Sequence, residues 1–385
     1  MRTRSLLASS VTLALVGGLY AGTAETAVAD PAPVRATGPA AAAAAAPDLP
    51  IVQKGRGGKV SWDSTSFAPG GPGVVAHGKL RGKGKRKLAL QVRTKGSWES
   101  FGKTRTDRKG NFAIQAPLDW YGTHKVRLTT KGKRSGFSKK TTVTVATPYT
   151  PRGATSAYSF LWKDDQNLKT AWRFNPCKTL TYAVNYSEVG EPALALAQQA
   201  MTQMSWATGI EVKYVGTTTN VPHRIYPDAE PNPPGVDLVI AWGSFAEVPS
   251  FQQQNKAGWG GPSKGKWARD ARGRKVIESQ TAAVTIATEY YQKGFAPAFD
   301  STQPTMGEVL LHEIGHSMGL DHVEANPEEI MNGATYLPWA DGHYRGLYSY
   351  GDLEGLRQLG LDSGCLSKYR GRANRQSVQA PPPVA

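Results

Sequence analysis

The stretch that decides the fold reads HEIGHSMGLDH and runs from His312 to His322. His312 and His316 are four residues apart, so a helix places both imidazoles on one face, one turn apart. Gly319 allows the chain to leave that helix through a left-handed conformation, and the next three residues can return His322 to the same place from another direction. Three neutral nitrogen ligands with a fourth position open are typical of a catalytic zinc site, because a structural site is closed by a fourth protein ligand.

A helix from Thr305 to Met318 is predicted to carry the first two histidines. It begins after Pro304, and its apolar side chains recur at helical spacing: Met306, Val309, Leu310, Ile314 and Met318. Glu313 adjoins the first ligand and is expected to project toward the open coordination position. There it can take a proton from the water and pass it to the departing amine. The alternative is a helix with ordinary histidines and no metal, which leaves the joint spacing of Glu313 and three imidazoles unexplained.

The same segment resembles the extended zinc motif of the metzincin metallopeptidases. Ile330-Met331-Asn332 resembles their Met-turn, in which Met331 forms an apolar floor under the metal. The segment from Ser349 to Gly360 is similar to the last helix of the matrixin branch. The resemblance covers residues 170 to 362. It implies an α+β domain with a mixed twisted sheet, a zinc helix, a Met-turn and a C-terminal helix.

The function implied by the resemblance is that of a secreted zinc-dependent endopeptidase acting on protein or peptide substrates. One catalytic zinc is expected on His312, His316 and His322, with Glu313 as general base and then acid. The substrate is expected to bind as an extended peptide along an edge strand. The segment Ala282–Ala287, centred on Val284, Thr285 and Ile286, is predicted to be that strand. A structural calcium is left open, since no residue pattern assigns one.

The chain departs from the family pattern in two places. No Pro-Arg-Cys-Gly propeptide switch is present in the sequence, so latency by that device is not expected. The spacing from Met331 to Tyr336 differs from that in the branches with an additional Tyr ligand, which weakens the case for Tyr336 in that role. The remaining histidines that we considered are interpreted as ordinary polar residues: His77, His124, His223 and His343.

The start of the chain indicates export. The one long apolar run, Leu6–Leu19, follows two arginines and precedes Ala27-Val28-Ala29, a pattern typical of a secretory signal peptide over residues 1–29. The run is short for a membrane span, and an uncleaved anchor is the alternative. The protein is therefore expected to be secreted, extracellular or cell-wall associated, with no stable membrane span.

Length and composition predict a multidomain chain. With 385 residues, of which 39% are hydrophobic and 20% charged, the sequence is long enough for two globular units and is not that of a wholly disordered protein. The predicted parts are a signal peptide at 1–29, an Ala/Pro-rich linker or pro-segment at 30–53, a basic β-sandwich at 54–148, a linker at 149–169, a zinc peptidase domain at 170–365 and a disordered tail at 366–385.

Two patterns support this division. Short alternating runs between Gly, Pro and basic turns predict an all-β sandwich in the first half, and Thr106–Phe112 resembles a turn of bacterial immunoglobulin-like modules. After Pro148 the pattern becomes mixed α and β. Glu191–Thr208 is predicted as a helix with Pro192 in its first turn and Gly209 as its stop, and Gly258–Lys275 is predicted as an exposed loop.

The chain has two cysteines, Cys177 and Cys365. An even count in an exported protein favours one disulfide, which here would tie the first strand of the peptidase domain to its last helix. The alternative is a free thiolate that caps the metal of a latent enzyme.

Positive charge is concentrated in the first half. Residues 51–148 contain 22 Lys and Arg against four acids, whereas residues 149–385 contain 21 against 23. In an exported protein such a surface suits an anionic cell-wall polymer, and no nucleic-acid partner is expected. A merely solubilising surface and an inhibitory pro-domain are alternatives for this part.

Two other functions remain alternatives for the whole chain. One is a surface-binding protein that acts through the basic sandwich, with a vestigial peptidase domain. The other is a metal-dependent amidase acting on cell-wall peptides with the same zinc chemistry.

Overall fold

The computed structural model describes residues 50–55, 57–82, 84–95, 97–130, 137–161, 172–222, 231–292, 294–333, 336–369 and 378–379. The chain divides into two units, Met1–Pro39 and Ala40–Ala385, and every described residue belongs to the second. The predicted signal peptide lies outside the described residues. So do most of the linker at 30–53 and most of the tail at 366–385.

The first half of the described chain forms two sheets that share an apolar core. Its strands are β1 (Ile51–Gly55), β2 (Gly58–Ser64), β3 (Ser66–Phe67), β4 (Val74–Leu80), β5 (Lys87–Arg93), β6 (Trp98–Arg105), β7 (Asn111–Ala116), β8 (Gly122–Thr130) and β9 (Thr141–Val145). One sheet has the order β1-β2-β4-β7 and the other β3-β9-β8-β5-β6. Buried and exposed positions alternate along β5 and β7, so one face of each sheet supplies the core. This architecture agrees with the predicted all-β sandwich.

The second half combines further strands with five described helices. Its strands are β10 (Ser159–Phe160), β11 (Trp172–Arg173), β12 (Leu180–Asn185), β13 (Val212–Thr217), β14 (Leu238–Gly243), β15 (Gly258–Arg269), β16 (Lys275–Ala287), β17 (Asp300–Ser301), β18 (Leu320–Asp321), β19 (Tyr344–Arg345), β20 (Ser367–Lys368) and β21 (Val378–Gln379). Its helices are α1 (Glu191–Thr208), α2 (Pro249–Gln254), α3 (Thr288–Gln292), α4 (Met306–Met318) and α5 (Tyr350–Leu359). None of these helices is long and apolar enough to cross a membrane.

The main sheet of this half has the order β13-β12-β14-β16-β15-β20, with β11 beside β16 and β21 beside β15. Strands β13, β12, β14 and β16 run parallel, and β15 runs antiparallel to β16. Helix α4 packs against β15 and β16, and α1 packs against α4 and α5. Helix α1 has the predicted bounds, with a proline in its first turn and the left-handed Gly209 at its end.

The predicted substrate strand is wrong. Val284, Thr285 and Ile286 lie in β16, where they are 0% exposed and paired with β14 on one side and β15 on the other. The stretch predicted as a loop, Gly258–Lys275, instead forms β15 and the turn into β16. A continuous apolar run such as Ala282–Ala287 suits a strand buried on both faces, and an interior strand has no free edge for a peptide.

Residues 149–161, predicted as the start of a linker, pack against the second half. Tyr149 donates its hydroxyl to the carbonyl of Tyr348 at 2.8 Å. Strand β10 pairs antiparallel with β18, directly after α4. This segment is therefore part of the wall around the end of α4, while residues 162–169 lie outside the described chain.

The sandwich is joined to the second half through Trp120. This residue, in the loop between β7 and β8, is 2% exposed, and its indole N–H donates to Asp362 Oδ1 at 3.1 Å. The N–H of Tyr121 donates to the carbonyl of Trp206 at 2.7 Å, and that of Lys95 to the carbonyl of Asp362 at 2.7 Å. One apolar core runs through both halves, so the sandwich is an integral part of the fold.

Cys177 and Cys365 form a disulfide with a Cα–Cα distance of 5.3 Å, consistent with the predicted bridge. Neither cysteine is free, so no thiol remains for a metal-capping role. The bridge lies beside a buried guanidinium, that of Arg173, which donates to the carbonyls of Leu359 at 3.4 Å and Gly364 at 3.2 Å. The start of this half is thus held to its last described turns.

The first prediction concerns the disulfide. Replacing both cysteines (Cys177→Ser with Cys365→Ser) removes a cross-link between residues 188 apart and is expected to lower the free energy of unfolding by about 4 to 5 kcal/mol, since the unfolded chain gains entropy. Denaturant unfolding measures the loss. Digestion without reduction should recover one linked peptide pair, and recovery of two alkylatable thiols would contradict the bridge.

The second prediction concerns the contact between the halves. Trp120→Ala leaves a cavity and removes the indole donor to Asp362 Oδ1, so we expect a loss of about 3 to 5 kcal/mol in denaturant unfolding. Trp267→Ala, at a half-buried position in β15, is the matched control and should cost less. Equal losses for the two variants would show that Trp120 does not join the halves.

Candidate metal centre

Helix α4 presents two histidines to the site because both of its ends are well defined. At its start, the Thr305 side chain accepts the N–H of Glu308 at 3.2 Å, and the Glu308 carboxylate accepts the N–H of Thr305 at 3.1 Å. At its end, Gly319 has φ 112°, a conformation that favours glycine, and a Cβ there would lie 2.3 Å from the carbonyl oxygen of Trp172. The chain then turns through β18 and brings His322 back toward the helix.

The three predicted ligands converge. The Nε2 atoms of His312, His316 and His322 form a triangle whose sides are all 3.1 Å. His312 donates its Nδ1–H to the carbonyl of Ile330 at 2.7 Å, and His316 donates its own to the carbonyl of Leu320 at 2.9 Å. Since a carbonyl can only accept, these bonds leave both Nε2 atoms as bare lone pairs that point into the triangle.

Burial keeps the three imidazoles neutral. It lowers the pKa of His312 to about 4 and that of His316 well below the ordinary value, and it also lowers the pKa of His322. Neighbouring imidazoles lower the pKa of His312 and His316 further. At neutral pH His312 and His316 therefore offer the lone pairs of their Nε2 atoms to a cation, and His322 adds a third facing Nε2.

This donor set fits zinc. In a tetrahedral site with Zn–N bonds of about 2.0 to 2.1 Å, the nitrogens are about 3.3 to 3.4 Å apart, close to the triangle in this chain. Within the described residues, no other His, Cys, Asp or Glu joins the cluster, so one side of the triangle stays open. The facing Nε2 lone pairs of His312 and His316 repel each other, and a bound cation would remove that repulsion.

A second layer of contacts holds the ligands through the segment predicted as the Met-turn. Met331 is 1% exposed and packs against Gly315 of α4. Asp352, at the start of α5, accepts the N–H of Ile330 at 2.8 Å and that of Met331 at 3.2 Å. Because the carbonyl of Ile330 accepts the His312 proton, Asp352 orients this imidazole through one intervening peptide group.

Two buried carboxyl groups adjoin each other behind this turn. The side chain of Glu329 accepts the N–H groups of Ala154, Gly351 and Asp352. Burial, together with Asp352, raises the pKa of Glu329 to about 8. The raised pKa favours a proton on Glu329, which relieves repulsion between the two carboxyl groups. The bond from the Ala154 N–H ties residue 154 to the turn.

Glu313 lies between the histidine cluster and β15. Its side chain is buried, and burial raises its pKa to about 8, while the positive charge of Lys256 opposes that rise. The backbone of Glu313 touches the strand directly, since a Cβ on Gly260 would lie 2.1 Å from its carbonyl oxygen. The glycines of β15, which made the sequence look like a loop, therefore allow α4 to lie close enough to place Glu313.

An open cavity of about 330 Å³ leads to the cluster. Glu313 and the three histidines line it, together with residues that sequence reasoning missed: Arg152, Lys256, Tyr290 and Leu337. Lys256 follows Asn255, a left-handed residue that ends α2. No sequence motif marks Lys256 or Arg152, because tertiary packing brings their segments to the cavity.

The remaining predicted positions have ordinary surroundings. Tyr336 lines the cavity and is 39% exposed. His343 Nδ1 lies 2.6 Å from Asp300 Oδ1, and His77 Nδ1 lies 2.9 Å from Asp63 Oδ2, both at the surface. His124 is buried, and its Nε2 lies 2.9 Å from the carbonyl of Trp120. His223 lies outside the described residues.

The comparisons with known proteins assign no family. No protein-family model and no curated protein matches this chain. Among solved structures, a chain described as "Biofilm associated protein - BSP domain" is 11% identical to this one, with a TM-score of 0.17. The match covers 22% of this chain and 15% of that chain, and so slight a likeness carries no argument about fold or function.

The third prediction concerns the metal. The purified chain is expected to hold one zinc at neutral pH. His316→Ala removes a ligand, so zinc affinity should fall by more than the roughly 10- to 100-fold that follows loss of an outer contact. Plasma emission analysis after dialysis measures the stoichiometry.

His343→Ala is the matched control for this variant, because His343 lies at the surface outside the cluster. It should retain one zinc per chain. A wild-type chain with no stoichiometric zinc would contradict the metal site.

Proposed function

We propose that this protein is an exported zinc-dependent endopeptidase. The observation that carries the proposal is the triangle of three Nε2 atoms with Glu313 beside its open side. Zinc bound there would polarise the scissile carbonyl and make an attacking water more acidic. A metal site explains why three neutral imidazoles and a carboxylate surround one open cavity.

The second half, in this proposal, is a metzincin-type α+β domain closest to the matrixin branch. The order of β12, α1, β13, β14, β15, β16, α4 and α5 supports it. Compared with the expected order, β15 is an additional strand between β14 and β16. Met331 packed against α4 and Asp352 at the head of α5 are further support, because both fix the turn that carries the His312 acceptor.

Glu313 is assigned the proton transfers. In its ionised form, which the charge of Lys256 and that of a bound zinc would favour, the carboxylate can accept a proton from the attacking water. It can then donate this proton to the amine that leaves, which is the role of a general base and then acid. Burial excludes bulk water from the group, and the packing of α4 on β15 limits its movement. Lys256 is the cation on the cavity wall whose charge favours the ionised form of Glu313.

The substrate is proposed to bind along β15. Among the described strands, β15 pairs with β16 on one side, whereas on the other β21 and β20 meet it only at Lys264–Gly265 and Ala268–Arg269. The part next to Glu313, from Gly258 to Pro262, thus has no strand paired on that side within the described chain. An extended peptide can add to such an edge through backbone hydrogen bonds. The peptide bonds of the substrate would then lie across the cavity.

The fourth prediction concerns Glu313. Glu313→Gln keeps the shape of the side chain but removes the base, so zinc should stay bound while kcat for a peptide substrate falls by roughly 10² or more. Peptide-library digestion followed by kinetics on the best peptide provides the measurement.

Glu324→Gln is the matched control, since Glu324 is an exposed carboxylate two residues beyond His322. It should keep near wild-type turnover. Undiminished cleavage by Glu313→Gln would place the proton transfer elsewhere, and absence of cleavage by the zinc-loaded wild type on any peptide would overturn the proposal.

A further inference from the structure

The outer face of the sheet β3-β9-β8-β5-β6 concentrates positive charge. In β5, Leu88, Leu90 and Val92 are buried in the core, so the alternate residues Lys87 and Arg93 point outward. The register brings outward residues of the two neighbouring strands beside them. We define the cationic face as Lys87, Arg93, Lys103, Arg105, Lys125 and Arg127.

The four carboxylates of this half lie elsewhere. Asp63 pairs with His77 in the other sheet, and Asp107 accepts the N–H of Asn111 in the turn before β7. Glu99 pairs in register with the inward-facing Val92 and accepts the Ser97 hydroxyl. Asp119 accepts the N–H of Gly70. Among the described residues, no ion pair involves a member of the cationic face.

The arrangement works against folding stability. Lys87 lies directly opposite Arg105 in the antiparallel pair β5–β6, and like charges in that position destabilise a sheet. A surface that serves only solubility intersperses both signs. Six cations without a carboxylate on one sheet face therefore indicate a ligand that neutralises them.

Trp98 orders two of these cations. The guanidinium carbon of Arg127 lies 4.1 Å from the centre of the Trp98 ring and that of Arg93 lies 5.7 Å from it. Arg127 also donates from Nε to Gln91 Oε1 at 3.0 Å. The guanidinium groups are thus held in place. Within the described residues their remaining N–H donors have no hydrogen-bond acceptor, an arrangement suited to binding phosphate.

The cationic face is separate from the metal centre. The residues that line the cavity run from Arg152 to Leu337, and none belongs to the sandwich. A ligand on this face would leave the cavity accessible. The same observation gives no support to the idea of the sandwich as an inhibitory plug.

We propose that the cationic face binds a linear cell-wall polymer with a phosphodiester backbone. Such a chain carries one charge per repeat and can follow cations spaced about 5 Å across strands and about 7 Å along them. A nucleic acid fits this face less well. The Trp98 ring is occupied by guanidinium groups, so it offers no stacking platform for bases, and a flat sheet face has no helix for a duplex groove.

The test uses the chain without residues 1–29 and a poly(glycerol phosphate) probe at 0.1 M salt, with affinity measured by titration. The triple variant Lys87→Ser, Lys103→Ser and Arg105→Ser is expected to bind at least tenfold more weakly. The slope of log affinity against log salt should become shallower by about two to three, since up to three phosphate contacts are lost. Peptide cleavage should not change.

The matched control is Lys54→Ser, Lys59→Ser and Lys79→Ser. These three lysines also lie opposite one another across strands, but in the sheet β1-β2-β4-β7, so the loss of charge is the same. This control should retain affinity within about threefold of wild type. Equal losses in the two triple variants would show that only the total charge matters and would overturn the proposal, as would absence of binding by the wild type.

Two further measurements keep the outcome decisive. Thermal unfolding of the first triple variant should occur at the same temperature as wild type or a higher one, because repulsion between the cations is relieved. If that variant does not fold, Arg105→Gln replaces it, with a smaller expected loss of affinity. Parallel titrations use polygalacturonate and single-stranded DNA. Tighter binding to either of these than to poly(glycerol phosphate) would overturn the phosphodiester wall polymer as the partner.

Discussion

Three imidazole Nε2 atoms facing one another at 3.1 Å are the constraint on which the second half of this protein depends. Such a cluster is unfavourable unless its members are neutral, correctly oriented and given a cation. The structure meets the first two conditions. Burial keeps the imidazoles unprotonated, and the carbonyls of Ile330 and Leu320 take the protons of the other ring nitrogens of His312 and His316.

The surrounding elements each hold one member of this arrangement. Asp352, at the start of α5, fixes the peptide groups of Ile330 and Met331. It thereby orients His312, whose Nδ1–H donates to the carbonyl of Ile330. The pairing of β10 with β18 holds the turn that follows α4 and carries the acceptor of His316. Strand β15 lies close against Glu313 and sets the open side of the cluster. The sandwich does not hold any of the three histidines. It contacts the second half through Trp120, near the C-terminal ends of α1 and α5, and it does not line the cavity.

Regular, local patterns could be predicted from the sequence. Helix α1 has a proline at its start, a glycine at its end and apolar residues at helical spacing, and α4 has the same periodicity with Thr305 as its cap. The ligand spacing follows from helix geometry, so the convergence of His312 with His316 was predictable. The pairing of Cys177 with Cys365 followed from there being only two cysteines.

Features that arise from tertiary contacts could not be predicted in this way. The composition of the run Ala282–Ala287 suits an edge strand and an interior strand equally well. Its position in the sheet depends on which strands pair with it, and the sequence of the run does not show this. Strand β15 has Gly258 and Gly260 where Glu313 of α4 lies close to it, and its many glycines made it resemble a loop. Arg152 and Lys256 reach the cavity through segments without periodicity, and the packed segment 149–161 has the composition of a linker.

The most direct test of the central claim is a crystal structure of the chain without residues 1–29, grown with zinc, with diffraction data collected on both sides of the zinc absorption edge. The account predicts one anomalous peak about 2.0 to 2.1 Å from the Nε2 atoms of His312, His316 and His322, on the side of the triangle that faces Glu313. An empty triangle in such crystals, or a zinc ion held by other residues instead, would contradict it.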